Sequence, residues 1–264
     1  MSTMSDHPLS ASGVTVRFPP STILDAVSCD LHAACVTGFL GPNGAGKTTL
    51  FRALAGTLAP TEGNVFLDGS RIGTYSRRAI ARRLGVVPQH PDTTLELSVR
   101  EIVAMGRFCH RPIYASVTGD DEEAIDAALR DMALDDVEER AAHTLSGGER
   151  QRMYLAQLLA QDASVVLLDE PTSHLDIQYQ SEILRALRSL VSERGWTVGV
   201  VLHDLNLARR YAEEVVVLGV PDIPGGLRQG PTAEVLAPPL IEAVWRMPCQ
   251  GVVGADGTVQ YLFG

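Results

Sequence analysis

Residues 41–48 carry the stretch that decides the fold: Gly41-Pro42-Asn43-Gly44-Ala45-Gly46-Lys47-Thr48. The stretch matches G-x-x-x-x-G-K-[ST], the pattern of a phosphate-binding P-loop. Residues 36–40 before it are apolar and predict a short strand, and residues 47–57 predict a helix. Because a functional P-loop lies between a strand and a helix, these flanks argue against a glycine-rich turn with a chance lysine.

The chemistry of the loop follows from its residue types. Glycines let the backbone turn tightly, so that several amide groups face phosphate oxygens, and the following helix adds the positive end of its dipole. Lys47 is placed to neutralise the β- and γ-phosphates, and Thr48 to hold Mg²⁺ through its hydroxyl. We therefore assign residues 41–48, together with Thr49, to a nucleoside triphosphate site.

Composition narrows the class of protein. The chain has 264 residues, 45% of them hydrophobic and 20% charged, which is typical of a soluble globular protein with one large domain or two small ones. The net charge of −10 argues against a general affinity for nucleic acid or anionic lipid. No apolar window is long enough to predict a transmembrane helix, and residues 1–12 lack the apolar core of a secretory signal.

Two consecutive acids end a second apolar run. Residues 165–168 are all valine or leucine, as in a buried parallel strand, and Asp169 and Glu170 follow them. The carboxyl ends of such strands are where α/β sheets place their sites. There Asp169 would help to hold Mg²⁺, and Glu170 would accept a proton from an attacking water. The alternative is an acidic strand end that leads into the turn at Pro171.

The pattern along the chain predicts a divided α/β core. Residues 14–18 and 23–31 predict antiparallel strands, which would form a small β-layer beside the parallel core. Further short strands are predicted at residues 64–67, 84–87, 164–168, 197–202 and 214–218. Residues 94–159 are helix-like, so a helical block is inserted between two parts of the core.

Residues 145–149, Leu145-Ser146-Gly147-Gly148-Glu149, allow two interpretations. Ser146 and Glu149 form the capping box of a helix that follows. The capping box does not explain the two glycines, which are costly at the start of a helix. Exposed amide groups at this position would suit a phosphate.

With these motifs together, the chain resembles the ATP-binding subunit of an ABC transporter. Residues 145–149 match the signature motif of that family, which few unrelated proteins combine with a P-loop. The other matches stand in the family's order: Gln89 in the Q-loop, residues 173–176 in the D-loop, the switch histidine His203, and Phe18 where the family places an aromatic residue under the adenine. For Phe18 a place in the core is the alternative.

The resemblance covers residues 13–245 and implies an α/β fold with a P-loop NTPase (RecA-like) core, an antiparallel β-layer and an inserted α-helical subdomain. It implies one ATPase domain over that range, with the core at about 13–93 and 160–245 and the helical subdomain at about 94–159. Residues 246–264 are a C-terminal extension to which the sequence assigns no role, although residues 258–263 within it predict a strand.

The resemblance also implies a composite site. In this family two ATP-binding subunits close head to tail, and ATP lies between the P-loop of one subunit and the signature motif of the other. Ser146, Gly147 and Gly148 would therefore face the nucleotide of a second copy. Asp176 would run along the seam between the two copies.

Specific catalytic and metal-binding roles follow from the same resemblance. Glu170 would polarise the lytic water, and His203 would contact the γ-phosphate. The implied catalytic residues are Glu170, His203, Gln89 and Lys47, and the implied Mg²⁺ ligands are Thr48, Gln89 and Asp169.

A narrower resemblance concerns direction and cargo. Four segments are similar to importers of iron chelates, haem and vitamin B12: residues 101–107 with His110, 172–177, 203–208 and 230–236. This implies an importer motor held at the cytoplasmic face of the cell membrane by separate permease subunits, with an extracytoplasmic substrate-binding protein in the full system. The alternatives are cobalamin or another cargo, and a soluble ABC ATPase such as an iron–sulfur cluster assembly factor.

Two segments depart from the family pattern. Ala34 and Cys35 stand where a Gly-Glu turn usually precedes the P-loop strand, and residues 221–226 form a longer connection, rich in proline and glycine. Neither segment touches a catalytic position. A basic helix predicted at residues 76–83 is either a solvated face or a contact for phosphate or a partner.

Overall fold

A computed structural model describes residues 6–89, 96–112, 116–173, 175–254 and 257–264. The strands are β1 (Leu9–Phe18), β2 (Ser21–Leu31), β3 (Val36–Leu40), β4 (Glu62–Leu67), β5 (Ser70–Arg71), β6 (Leu84–Val87), β7 (Val165–Leu168), β8 (Thr197–Val201), β9 (Glu214–Leu218), β10 (Leu227–Pro231), β11 (Cys249–Val253) and β12 (Val259–Phe263). The α-helices are α1 (Lys47–Leu54), α2 (Arg77–Ala81), α3 (Val99–Met105), α4 (Gly119–Asp131), α5 (Gly147–Gln161), α6 (Ile177–Arg194), α7 (Leu205–Tyr211), α8 (Thr232–Val235) and α9 (Pro238–Trp245).

A largely parallel sheet lies at the centre of the molecule. Within the described residues its strand order is β10-β9-β3-β8-β7-β6, and only the β10–β9 pair is antiparallel. The register pairs Phe39 with Val201 and Leu168 with Val87. The carboxyl ends of β3, β8, β7 and β6 are therefore level at one edge of the sheet.

Alternation along the strands divides the core into two apolar clusters. In β7, Val166 and Leu168 pack with the helical block, whereas Val165 and Leu167 pack with α1 and the antiparallel layer. All four side chains are buried. A strand that is covered on both faces has no polar side, which is why β7 is an unbroken apolar run.

The predicted antiparallel layer is confirmed. Its strand order is β2-β1-β4-β5, with β1 antiparallel to both β2 and β4. β1 begins at Leu9, ahead of the expected domain start at residue 13, and Leu9 and Ala11 are buried in this layer's core. The ordered domain therefore begins earlier than the alternating pattern of residues 14–18 indicated.

The helical block lies between β6 and β7 in the chain, and with it the predicted fold class is confirmed. α3, α4 and α5 pack together through buried residues such as Val103, Ile125 and Met153. Each of the three begins with a capping box, including the predicted pair Ser146 and Glu149. The expected boundary at residue 160 falls inside α5, and the one at residues 93–94 lies outside the described residues.

The C-terminal extension forms a hairpin of β11 and β12 that packs on α7 and α9. The Asn206 side chain on α7 bonds both backbone groups of Tyr261: its Oδ1 accepts from the amide at 2.6 Å, and its Nδ2 donates to the carbonyl at 3.2 Å. The Tyr261 hydroxyl donates to the Leu236 carbonyl. The predicted strand at residues 258–263 thus has a partner strand that the sequence did not indicate.

None of the helices in the described ranges is both long and apolar enough to cross a membrane.

A buried ion pair ties α4 to the segment after α3. Arg107 Nε lies 2.9 Å from Asp121 Oδ1, and Asp121 is 3% exposed. Hydrogen bonds from Arg107 and from the Thr118 backbone lower the pKa of Asp121 to about 2. Arg107 also donates to the Ala160 carbonyl in α5 at 2.9 Å, so this one side chain links the segment after α3 to both α4 and α5.

We predict that Arg107→Ala lowers the free energy of unfolding by about 3 kcal/mol at pH 7, because it leaves the Asp121 carboxylate buried without its partner. Since the pKa of Asp121 is lowered on folding, the pair stabilises the protein above the ordinary carboxyl pKa and less as pH falls towards 2. Urea denaturation at pH 7 and in acid measures both effects. Arg111→Ala, which removes an arginine stacked over Phe108, is the control and should cost less than about 1 kcal/mol. Equal stability of wild type and Arg107→Ala at pH 7 would contradict the prediction.

Candidate active site

The candidate site lies along the level edge formed by four neighbouring parallel strands. The P-loop leaves β3, His203 follows β8, Asp169 and Glu170 follow β7, and Gln89 follows β6. Polar groups that are far apart in the sequence meet here because the strands that carry them are neighbours. The edge of an α/β sheet at the carboxyl ends of its strands is where such folds bind ligands.

The P-loop backbone adopts conformations that require glycine. Gly41 has φ 145°, and a Cβ at this position would lie 2.6 Å from the Leu218 carbonyl oxygen. Gly46, the N-cap of α1, has φ 91°, and a Cβ there would lie 2.7 Å from Leu24 Cδ2. Both positions therefore exclude other side chains, and the loop can keep its amide groups turned towards a phosphate.

Lys47 lies under this loop. Its Nζ donates to the carbonyl oxygens of Gly41 at 2.8 Å and Pro42 at 3.0 Å, and the residue is 6% exposed. Burial lowers the pKa of Lys47, although Glu170 and Asp169 oppose the shift. The neighbouring acids thus compensate part of the cost of placing an ammonium group here.

Lys47 is also the only lysine in the sequence, and every other basic side chain apart from the histidines is arginine. Lysine carries a compact ammonium on a flexible stem, whereas arginine carries a broad planar fork. Position 47 is therefore the one place in the sequence with an ammonium side chain instead of a guanidinium. The two carbonyl contacts at the base of the loop give the physical reason.

Asp169 and Thr48 form the part of the edge that suits a metal ion. The side chains of Thr48 and Asp169 are hydrogen-bonded, and Asp169 is 7% exposed. Asp169 Oδ1 is buried and has no hydrogen-bond partner among the described residues. Burial raises the pKa of Asp169, so a bound cation would stabilise its charged form. A hydroxyl and an unpartnered carboxylate oxygen are donors that Mg²⁺ accepts, so these residues fit the ion.

Glu170 is the centre of the hydrogen-bonded cluster. Its Oε2 accepts from Gln89 Nε2 at 2.7 Å and from Ser173 Oγ at 2.9 Å. His203 Nε2 lies 2.7 Å from Oε1, a contact that requires the proton on this nitrogen. Three of the sequence-assigned residues, Gln89, Glu170 and His203, are therefore in direct contact.

The environment of Glu170 favours its charged form. Burial raises the pKa of this carboxyl, but hydrogen bonds from His203 and Ser173 outweigh burial and hold it below its ordinary value. The backbone of Glu170 has φ 55°, which is rare for a residue other than glycine. Ser173 N donates to the Glu170 carbonyl at 3.1 Å and closes the turn that contains this strained residue.

A cleft of about 580 Å³ opens beside the metal-binding side of the cluster. Thr48, Asp169 and Gln89 are among the residues that line it. The other lining residues are Phe51, Arg52, Ala55, Thr57, Val86 and Pro88. The cleft thus joins the candidate active site to an apolar surface along α1 and the edge strand β6.

Phe18 lies at the turn of the β1–β2 hairpin and is paired with Ser21. The side chain is 52% exposed, which does not fit the alternative of a core phenylalanine. The exposed ring is available to stack on a planar group.

The signature segment, residues 145–149, forms a second group at the start of α5. Ser146 is the N-cap, and its Oγ donates to Glu149 Oε2 at 2.6 Å. Ser146 and Gly147 are exposed, whereas Gly148 is buried. No hydrogen bond or ion pair within the described residues joins Ser146, Gly147 or Gly148 to the P-loop.

Asp176 belongs to the second group and not to the Glu170 cluster. It is the exposed N-cap of α6, and its side chain makes no capping hydrogen bond. His174, which also belongs to the matched D-loop, lies outside the described residues. One chain therefore carries two separate sets of sequence-assigned residues.

Ser173 begins the segment matched to the D-loop, but the sequence analysis gave its side chain no individual role. A hydroxyl three residues after an acid, within a turn that follows proline, is a recurring way to hold a carboxylate and was a usable signal. Its contact with Glu170 depends on the unusual backbone of Glu170, which the residue types alone do not indicate.

Comparison with known proteins agrees with this geometry. The ABC transporter family model matches residues 24–173. The chain is 37% identical over 236 residues to the ferric enterobactin transport ATP-binding protein FepC of Escherichia coli K12, covering 89% of this chain and 86% of that protein. It is 42% identical over 218 residues to the hemin import ATP-binding protein HmuV of Rhodopseudomonas palustris, covering 80% and 78%.

A solved structure supports the same assignment. A protein described as a metal-chelate type ABC transporter in an inward-facing conformation has a TM-score of 0.85 and 26% identity, with 98% of both chains covered. The chain therefore belongs to the ABC transporter family and is an ATP-binding ATPase of that family.

We predict that Lys47→Ala weakens nucleotide binding by about 2 kcal/mol, roughly thirtyfold in Kd, because a charge-assisted contact to phosphate is lost. Lys47→Arg should be impaired to a similar degree, since the guanidinium does not fit the carbonyl pocket. Titration with a fluorescent ATP analogue measures both variants.

The single lysine provides an independent check. An amine-directed reagent should modify the side chain of Lys47 and no other side chain, and Mg-ATP should protect it. Wild-type affinity in Lys47→Ala, or modification that ATP does not slow, would contradict the assignment of the P-loop.

Proposed function

We propose that this chain is the ATP-hydrolysing motor subunit of an importer for an iron–siderophore complex, haem or a similar metal chelate. The observation that carries the catalytic part is the Glu170 carboxylate, held by Gln89, Ser173 and His203 beside the P-loop. The cargo class is supported by the similarity to the ferric enterobactin and hemin proteins.

ATP binds with its phosphates in residues 41–49 in this proposal. Lys47 and the amide groups at the start of α1 balance the phosphate charge. The exposed ring of Phe18 stacks under the adenine. The nucleotide-binding residues thus form two groups: residues 41–49, which bind the phosphates, and Phe18 at a hairpin turn, which stacks on the adenine.

Mg²⁺ is held by Thr48 and Asp169, with Gln89 as the third ligand. The unpartnered Asp169 Oδ1 and the neighbouring Thr48 hydroxyl support this assignment. When bound, the ion neutralises phosphate charge that develops during cleavage.

Glu170 accepts the proton of the attacking water. Its lowered pKa supports this role, because an ionised carboxylate is the form that can take a proton. Gln89 and His203 occupy both carboxylate oxygens in the described arrangement, so each must exchange its contact when water and γ-phosphate arrive. His203 then contacts the γ-phosphate.

A second copy completes each site from the other side. Ser146, Gly147 and Gly148 lie apart from the P-loop of their own chain, which supports a role towards the nucleotide of another copy. Asp176 lies at the seam between the copies. The next residue, Ile177, is apolar and 81% exposed, as expected of a side chain that a partner covers.

Separate permease subunits hold the motor at the cytoplasmic face of the membrane, and an extracytoplasmic substrate-binding protein delivers the cargo. The cleft beside Gln89 is the surface that receives the permease, because its apolar part is continuous with the catalytic cluster. Movement of a segment in this cleft reaches Gln89 directly and, through its hydrogen bond, Glu170.

We predict that Glu170→Gln binds Mg-ATP, forms a dimer and hydrolyses ATP at least about a hundredfold more slowly than wild type, because the neutral amide cannot take a proton. Phosphate release and light scattering with ATP measure the two properties. Glu234→Gln, which neutralises an exposed acid on α8, is the matched control and should hydrolyse at the wild-type rate. Wild-type turnover in Glu170→Gln would remove Glu170 from the proposed role.

The transport proposal is tested by purifying tagged Glu170→Gln protein from native membranes and identifying its partners by mass spectrometry. Recovery of a polytopic membrane protein is the expected result. Uptake of ferric siderophore, haem and cobalamin in cells that lack the chain then identifies the cargo. Recovery of soluble partners alone would overturn the importer and favour a soluble ABC ATPase.

A further inference from the structure

We infer that Tyr179, near the start of α6, is a positioning residue that holds the signature segment in the orientation needed to meet a second copy. This inference rests on the proposed dimer of ATP-binding subunits. It assigns a role to a residue outside the P-loop, the signature segment and the Glu170 cluster. It also gives a second reason for the glycine at position 148.

The ring of Tyr179 lies directly against Gly148. A Cβ at Gly148 would lie 2.7 Å from Tyr179 Cδ1, 3.0 Å from Cε1 and 3.2 Å from Cγ. These separations are shorter than a carbon–carbon contact, so the ring occupies the space that any other residue at position 148 would need. Burial of Gly148 next to the exposed Ser146 and Gly147 follows from this cover.

The neighbouring glycine, Gly147, is contacted by a residue just before α6. A Cβ at Gly147 would lie 2.7 Å from Leu175 Cδ2. Leu175 precedes Asp176, and Tyr179 lies in the first turn of α6. Both glycines of the signature segment therefore pack against the segment that carries Asp176. These contacts join the helical block to the core within one chain.

The ring of Tyr179 holds Gly148 in place by van der Waals contact. Its ring is 41% exposed and borders a cleft of about 210 Å³ between α5 and α6, which Arg152 and Glu182 also line. The ring is supported on the Gly148 side and is open on the other. Loss of the ring would leave the start of α5 without this support, while α5 itself would keep its capping box and its buried face.

The consequence concerns the two surfaces offered to a second copy. Ser146 reaches the partner's nucleotide, and Asp176 lies on the seam, so their relative position must be constant for both to engage at once. The contact between Tyr179 and Gly148 sets that relative position. Removal of the ring should therefore weaken ATP-driven dimerisation without changing how one chain binds ATP at its own P-loop.

The experiment compares Tyr179→Ala and Tyr179→Phe in the Glu170→Gln background. Sedimentation with Mg-ATP should show dimerisation about tenfold weaker for Tyr179→Ala, a typical size for coupling between sites. Tyr179→Phe should restore it, since the ring and not the hydroxyl makes the contact. ATP affinity measured at low protein concentration and the thermal midpoint should stay at their parental values. Phe108→Ala, which removes a 56% exposed aromatic from the helical block, is the control and should dimerise normally.

A double-mutant comparison separates the ring from other reasons for the glycine. Gly148→Ala should weaken dimerisation more when Tyr179 is present than when Tyr179→Ala is already in place, because the effects of contacting residues are not additive. Equal cost of Gly148→Ala in both backgrounds would overturn the inference, as would undiminished dimerisation of Tyr179→Ala. Absence of any ATP-driven dimer in the Glu170→Gln parent would overturn the proposed function as well.

Discussion

Parallel pairing of β3, β8, β7 and β6 is the constraint on which the candidate site depends. The backbone hydrogen bonds of these strands set their carboxyl ends level, and each end delivers a different group: the P-loop, His203, the two acids and Gln89. Successive side chains of β7 lie on opposite faces of the sheet, and this alternation decides on which face the acids after the strand lie. Val165 and Leu167 face α1, and Asp169 continues the same series towards Thr48 on that helix. A shift of one residue in the register would send Asp169 to the opposite face.

Electrostatic balance at this edge depends on placing unlike charges in a partly buried space. Lys47 loses solvation and has its pKa lowered, while Asp169 loses solvation and has its pKa raised. Each charge stabilises the other, but Asp169 keeps an oxygen without a partner. Glu170 differs, because three donors hold it in its ionised form. Two adjacent acids therefore have opposite pKa shifts, which suits one to a cation and the other to proton transfer.

Local patterns sufficed to predict β3, the P-loop, α1, the acids after β7, the helical block and the capping box of α5. Each of these depends on periodicity or on turn and cap chemistry within a few residues. Contacts between segments that are far apart in the sequence could not be predicted. Nothing in the residues around Gly148 indicates that Tyr179 covers it. The strand β11 was also missed, because Gln250 and Gly251 weaken its pattern and its pairing with β12 supplies the order. The site residues were identified largely through the family resemblance. The hydrogen bond between Ser173 and Glu170 was not predicted in this way, because neither the motif nor the residue types indicate the unusual backbone of Glu170.

The direction of the parallel strands also bears on the symmetry with which two copies of the chain can associate. α1 follows β3 and α5 leads into β7. Because β3 and β7 run in the same direction, both helices begin near the edge of the sheet formed by the carboxyl ends of the strands, although they lie on opposite faces. The P-loop and the signature segment therefore both lie towards this edge. In the proposed dimer, a twofold rotation about an axis at that edge would exchange the two segments between copies, so that both composite sites would be completed at once and the assembly would close at two. Had the two segments been presented at opposite edges, the same contacts would repeat from copy to copy and build an open filament.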